Sequence, residues 1–272
     1  MTGFTPTASC ADARPVSSRR ERSDSEAAAL LDAIRGRLPT RAHHDYFDQH
    51  RRRYAAALRL LDRFAVAGDV LEIGAAPAHF TALLQAAGYR PVGIDLDPAR
   101  HDGVIAAFGL DIRGCDVERY VLPFPDARFS CVVAMEILEH LRIDPLFTLA
   151  EINRVMAPGG MLVLTTPNLY AAQNVARFLA GRGINDAVSE FQKLRDIGHM
   201  GHIREYRRGE VRRFLETSGF AVRHHAYADY SAPDGRRQLV KYILARLLPT
   251  PFLSFQECVA EKINQAPLLT PA

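Results

Sequence analysis

Five apolar runs separated by helix-like stretches limit this chain more than any other feature. They read DVLEIG from residue 69, PVGID from 91, DIRGCDV from 111, FSCVVAME from 129 and GGMLVLTTP from 159. Between them lie helical patterns over about His79–Ala87, Pro98–Phe108 and Phe147–Met156. Runs that are apolar throughout suit strands covered on both faces, and alternation with helices makes such strands parallel. The expected class is α/β, and 272 residues suffice for one such domain with extensions.

The flanks divide the chain further. Residues 1–26 are rich in Ser, Thr, Pro, Ala and Arg, so 1–40 read as a largely disordered extension in which DSEAAALLDAIRGRL can form a short helix before Pro39. Residues 41–68 read as an N-terminal helix, with Tyr46, Phe47, Tyr54, Leu58, Leu61 and Phe64 at helical spacing and Gly68 as its stop. The main domain then runs over 69–272, with insertions at about 169–200 and 231–252. After the first insertion come a helix in RRGEVRRFLETSGF, a sixth strand in FAVRHHAYA and a last strand in SFQECVAEKI.

Composition removes several classes. A net charge of +3 is too small to argue for nucleic acid by itself. Cys10, Cys115, Cys131 and Cys258 are scattered without a C-x-x-C pair and read as reduced thiols. No stretch reaches the roughly 18 apolar residues of a membrane span. The first residues lack the apolar core of a secretory signal. The expectation is a soluble, cytoplasmic protein.

The turn after the first run points to a ligand. Gly74 allows close backbone approach, Ala75, Ala76 and Ala78 keep the lining small, and the next helix offers unpaired N–H groups. About twenty residues on, Asp95 ends the second run, placed to accept hydrogen bonds from ribose hydroxyls. A pyrophosphate would call for G-x-G-x-x-G, whereas Gly74 is the one glycine here and Pro77 removes a donor. An adenosine-type ligand without phosphates fits this pattern.

With GCDVERYVLPFPDARFSCVVAMEILEHL and EINRVMAPGGMLVLTTPN added, the chain resembles the class I S-adenosylmethionine-dependent methyltransferases from about Val70 to Phe220. The resemblance implies a Rossmann-like, seven-stranded sheet with helices on both faces and an antiparallel last strand. It also implies S-adenosyl-L-methionine as cofactor, with Glu72, Gly74 and Ala76 in the cofactor loop and Asp95 on the ribose. Asp116 and Val117 would contact the adenine, and Glu136 would lie near the methionine end or the acceptor. The second and third glycines of the usual E-x-G-x-G-x-G are Ala76 and Ala78 here.

AMEILEHL carries a second constellation. Spacings of three and four residues group Glu136, Glu139 and His140 if a helical turn begins at the strand end. Two carboxylates and an imidazole suit a divalent cation such as Mg or Mn, with His199 or, by its place in HIREY, His202 as a further ligand. The arrangement resembles ubiquinone-biosynthesis O-methyltransferases and small-RNA 2′-O-methyltransferases, though a metal-free pocket uses the same residues. Without a metal, His140 or His202 would serve as the base, with Glu136 beside it.

The acceptor expected is a small-molecule hydroxyl, with an RNA ribose or no transfer at all as the competing readings. Tyr46 and Phe47 either lid the cofactor or pack against the domain, and the insertion with Phe191, following Asn168, would cover the acceptor. Arg204, Arg207, Arg208, Arg212 and Arg213 could follow a phosphate backbone, but Glu205, Glu210 and Glu216 interrupt them. The basic amphipathic stretch 236–248 either rests on an anionic membrane or packs on the protein. The oligomeric state is not legible.

Overall fold

The computed structural model describes residues 21–64, 66, 68–197, 201, 202, 204–230, 249–267, 269 and 270. The chain runs α1 (Asp24–Arg35), α2 (Arg41–Arg63), β1 (Asp69–Ile73), α3 (His79–Ala86), β2 (Arg90–Asp95), α4 (Asp102–Phe108), β3 (Ile112–Gly114), β4 (Phe129–Met135), α5 (Pro145–Val155), β5 (Met156–Pro167), α6 (Ala172–Leu179), α7 (Ala187–Ile197), α8 (Arg208–Thr217), β6 (Phe220–Ala228) and β7 (Phe255–Lys262). His199 and the 236–248 stretch lie outside the described residues.

The strands form one sheet in the order β3-β2-β1-β4-β5-β7-β6. β7 runs antiparallel to both β5 and β6, and the other pairs are parallel, as the resemblance implied. Strand periodicity decides what each face buries. Val70, Cys131, Val133, Val163 and Val259 point into a core shared with α1, α2 and α3. The intervening Leu71, Ile73, Val132, Ala134, Leu162 and Leu164 point into a second core with α5 and α8. Each core residue is almost wholly removed from water, worth roughly 1.5–3 kcal/mol for a large aliphatic side chain.

Within the N-terminal extension, the short helix expected at DSEAAALLDAIRGRL is present as α1 and packs on the domain. Ser23 and Glu26 form a reciprocal cap at the start of α1. Ala27, Leu31 and Ile34, spaced by helical turns, are buried against the domain. Arg22 ties the segment down through the buried carboxylate of Asp62 and the carbonyl of Ala87. The first insertion carries two short helices, α6 and α7.

β1, β2 and β3 step outward in one direction from the centre, while β4 and β5 step in the other. The switch therefore falls between β1 and β4, where the helices leave on opposite faces and open a crevice beyond the carboxyl ends of the strands. Gly74, Asp95 and Glu136 all stand at that edge. No helix among the described residues is long and apolar enough to cross a membrane.

Candidate active site

A cavity of about 1270 Å³ occupies this crevice, with Gly74, Asp95, Asp116, Val117, Glu136 and His140 among its walls. Gly74 has φ +71, and a Cβ there would come within 2.0 Å of Ile137 Cδ1. The backbone conformation favours glycine, and a Cβ would also displace the Ile137 side chain. The two alanines that replace the family's later glycines behave differently. Ala76 donates its N–H to Asp95 at 2.9 Å, whereas Ala78 adopts the left-handed φ of +72 at the start of α3.

Asp95 is thus held before any ligand arrives. Its Oδ2 accepts from Ala76 N and its Oδ1 from Asp97 N at 3.1 Å. One strand over, Asp116 accepts from Glu118 N at 3.0 Å and faces Arg119, while the Val117 carbonyl accepts from the Thr148 hydroxyl. Glu72 is buried on the β1 face that looks toward α2 and α3, and accepts from the Thr81 hydroxyl at 2.5 Å. Burial, with Asp95 adding to it, pushes its pKa up to about 8.

At the other end, β4 stops at Glu136 in a left-handed conformation, φ +56, which is costly for a residue with a Cβ and is found most often at functional positions. Its Oε1 accepts from the Thr165 hydroxyl at 2.8 Å and its Oε2 lies 3.8 Å from Arg53 Nη1. Burial raises its pKa and Arg53 opposes that rise. Glu139 and His140 follow on a single 3-10 turn. Glu139 is fully buried, with Oε2 on the Thr166 hydroxyl and Oε1 without a hydrogen-bond partner. Burial, and then the neighbouring Glu136, hold its carboxyl well above the usual range.

The fold brings His202 to this pair from 62 residues beyond His140. One ligand atom each from Glu139, His140 and His202 lies within 4.8 Å of the others. His140 Nδ1 sits 2.9 Å from the Gly201 carbonyl, a bond that fixes the tautomer and leaves Nε2 as the ring's acceptor atom. Glu136, expected in the same group, stands beside this trio: the chain turns left-handed there, and its carboxylate reaches Thr165 and Arg53.

The two candidate lid residues separate. Phe47 is fully buried against Tyr54 and His79, while Tyr46 lines the cavity and stacks on His50 at 4.1 Å between centroids. Sequence reasoning passed over Arg53, Tyr230, Phe255 and His79, all on the cavity wall. Nothing in one sequence marks them, except that Arg53 falls one turn after His50 and two after Tyr46 on the same helix side. Two of the five arginines in the run are paired with carboxylates, Arg204 with Glu210 and Arg212 with Glu216, each at 2.7 Å.

The wall chemistry suits a cationic nucleoside: the carboxylates of Asp95, Asp97, Asp116 and Glu136 line the cavity together with the small residues Gly74, Ala75 and Ala76. The comparisons with known proteins agree. The sequence profile described as a methyltransferase domain matches residues 44–225. A protein of Mycolicibacterium smegmatis named "Probable S-adenosylmethionine-dependent methyltransferase" is 31% identical over 186 residues, which is 68% of this chain and 63% of that protein. The match therefore spans less than two thirds of the relative's length. Among solved structures, a Burkholderia thailandensis 1,6-didemethyltoxoflavin-N1-methyltransferase with bound S-adenosylhomocysteine superposes with a TM-score of 0.54 at 17% identity, covering 89% of this chain and 92% of that one. A SAM-dependent methyltransferase from Archaeoglobus fulgidus gives 0.54 at 17% identity, over 80% of this chain and 100% of that one. At such identities the likeness is one of fold.

Proposed function

Because the chain belongs to the class I S-adenosylmethionine-dependent methyltransferases, we propose that it methylates a hydroxyl of a small-molecule acceptor held at the His140–His202 end of the cavity. The observation that carries this reading is the meeting of Glu139, His140 and His202 in the same cavity as Asp95 and Asp116. The carboxylates of Asp95 and Asp116 are set to hold ribose and adenine, and Gly74 with Ala76 lets the backbone come close. Bound there, the cofactor supplies a methyl group made electrophilic by its sulfonium.

A hydroxyl attacks poorly until its proton has somewhere to go. An imidazole takes a proton near neutral pH, and His140 and His202 present two, 5.1 Å apart between centroids. As the new oxygen–carbon bond forms and the sulfur–carbon bond breaks, the hydroxyl proton passes to one of these rings. The sulfonium charge is lost and the ring that takes the proton becomes an imidazolium; on His202 it would face the Glu205 carboxylate, 3.5 Å from Nδ1. Positioning at near-attack distance supplies much of the remaining acceleration.

One feature favours a cation-assisted version. The buried Glu139 Oε1 has no hydrogen-bond partner, and a buried acceptor left so is costly. Glu139, His140 and His202 would hold a Mg- or Mn-type ion, which would polarise the acceptor oxygen and lower its pKa. Transfer of a labelled methyl group to a panel of phenols, sugars, amines and oligoribonucleotides tests both versions. Turnover of small hydroxylated acceptors that is lost in His140→Ala supports the reading, and exclusive turnover of the oligoribonucleotides or of amines refutes it. Chelation separates the base from the cation.

A further inference from the structure

The N-terminal half of α2 spans the cavity and is tied to α1 by surface ion pairs, Arg35–Asp48 at 2.7 Å and Arg51–Asp32 at 2.8 Å, with little buried apolar surface of its own. Between Arg41 and Arg53, Phe47 alone is buried, although His43, Tyr46, Gln49, His50 and Arg53 line the cavity wall. Where this half meets the rest of the protein, three imidazoles converge from three elements. His43 belongs to α2, His79 to the first turn of α3, and His101 to the turn after β2.

His79 is 0% exposed, and its Nε2 lies 3.2 Å from His43 Nδ1, so a single proton is shared across that contact. The His43 ring also meets those of His79 and His101 edge-on at 5.3 and 5.8 Å. His79 Nδ1 and His101 Nδ1 are buried with no hydrogen-bond partner. Phe47 rests on the His79 ring at 5.7 Å, and Tyr46 meets it at the same distance. These contacts do not accommodate full protonation: cations on His43 and His79 would point two N–H groups at each other.

We propose that the His43–His79–His101 cluster is a proton-sensitive latch that holds α2 closed over the cofactor and releases it as the pH falls. This inference rests on the placement of the cofactor in the same cavity. Every charged neighbour bears on the sign. From α2 come His44, His50 and Arg53, with Tyr46 neutral. From the segment after β2 come Arg100 and the carboxylates of Asp95 and Asp97.

Burial pushes His79 down to about 3, and the surrounding histidines push the same way. Burial likewise lowers His43, and lowers His101 in spite of the pull of Asp95 and Asp97. Closing is therefore favoured fully above the ordinary histidine value of about 6.5 and weakens as the pH drops below it. Between pH 7.5 and 5.5, each histidine kept neutral in the closed form and released in the open form costs about tenfold in closing.

Calorimetric titration of the full chain with S-adenosylhomocysteine, at pH 7.5 and 5.5 in buffers of two ionisation enthalpies, tests the latch. The expected result is a loss of affinity of at least about tenfold, with protons released on binding at the lower pH. In the double variant His43→Gln, His101→Gln the loss should shrink by at least about tenfold, and His101→Gln alone provides a milder change. A pH effect arising elsewhere in the cavity would act on wild type and variants alike, so the difference isolates the cluster. Equal slopes in wild type and double variant, or an affinity unchanged at pH 5.5, overturns the latch while leaving cofactor binding intact. Absence of binding at pH 7.5 overturns the cofactor placement and the latch together.

Discussion

Replacing Gly74 by alanine should damage the protein twice over, and the two costs can be separated. The φ of +71 costs an alanine about 1–2 kcal/mol. The added Cβ would lie 2.0 Å from Ile137 Cδ1 and 3.0 Å from its Cγ1, where carbon atoms need about 3.5 Å or more. Relieving that overlap by moving Ile137 or the loop costs about 1–3 kcal/mol. Gly74→Ala is expected to lose about 2–5 kcal/mol in urea unfolding, a large share of the roughly 5–15 kcal/mol of a typical domain. Adding Ile137→Ala removes the overlap and leaves the backbone cost. The double variant should therefore be about 1–3 kcal/mol better than the sum of the singles. Strict additivity would mean that Ile137 does not fill the space at Gly74. A single-variant loss below about 1 kcal/mol would refute the left-handed turn itself.

Three further outcomes follow from the site and its supports. Asp95→Ala should weaken S-adenosylhomocysteine binding at least tenfold by calorimetry, since a hydrogen bond to a charged group is worth about 1.5–3 kcal/mol; unchanged affinity would remove Asp95 from the ribose. Glu72, pushed up to about 8 in the folded protein, favours folding below about pH 4.5, and that contribution fades as the pH climbs toward 8. Glu72→Gln keeps an acceptor for Thr81 and should flatten this fall by on the order of 4 kcal/mol in the cofactor-free protein, read from urea midpoints at pH 5 and 8. Lys262→Met should cost about 2–3 kcal/mol of stability, because the buried ammonium donates to the Asn153 and Met156 carbonyls at 2.6 and 2.8 Å; a neutral effect in urea would show those carbonyls are served by water.

The sheet was legible because its rules are local. Apolar runs such as FSCVVAM fill both faces, and Gly74 stands where the turn demands it. Asp95 could be singled out from its place at the end of β2, but its hold on Ala76 N depends on how the loop folds. Spacing failed at Glu136 because helical neighbours presuppose a helix, and the chain there makes a left-handed step followed by one tight turn. His202 came within reach of Glu139 only through tertiary structure. α1 was underrated because Ala27, Leu31 and Ile34 are a thin stripe amid polar residues. The histidine cluster was invisible: His43, His79 and His101 share no motif and meet only when α2 lies across α3.

β7 joins two strands that both precede it in the chain, pairing with β5 over seven residues and with β6 over eight. During synthesis, β5 and β6 must therefore wait with bare edges until residues 255–262 emerge, and bare edges are templates for the wrong neighbour. A nascent polypeptide stalled or cut before Phe255 should be a sticky species rather than a smaller working enzyme. The strand that completes the platform is also the one that makes the newborn molecule safe.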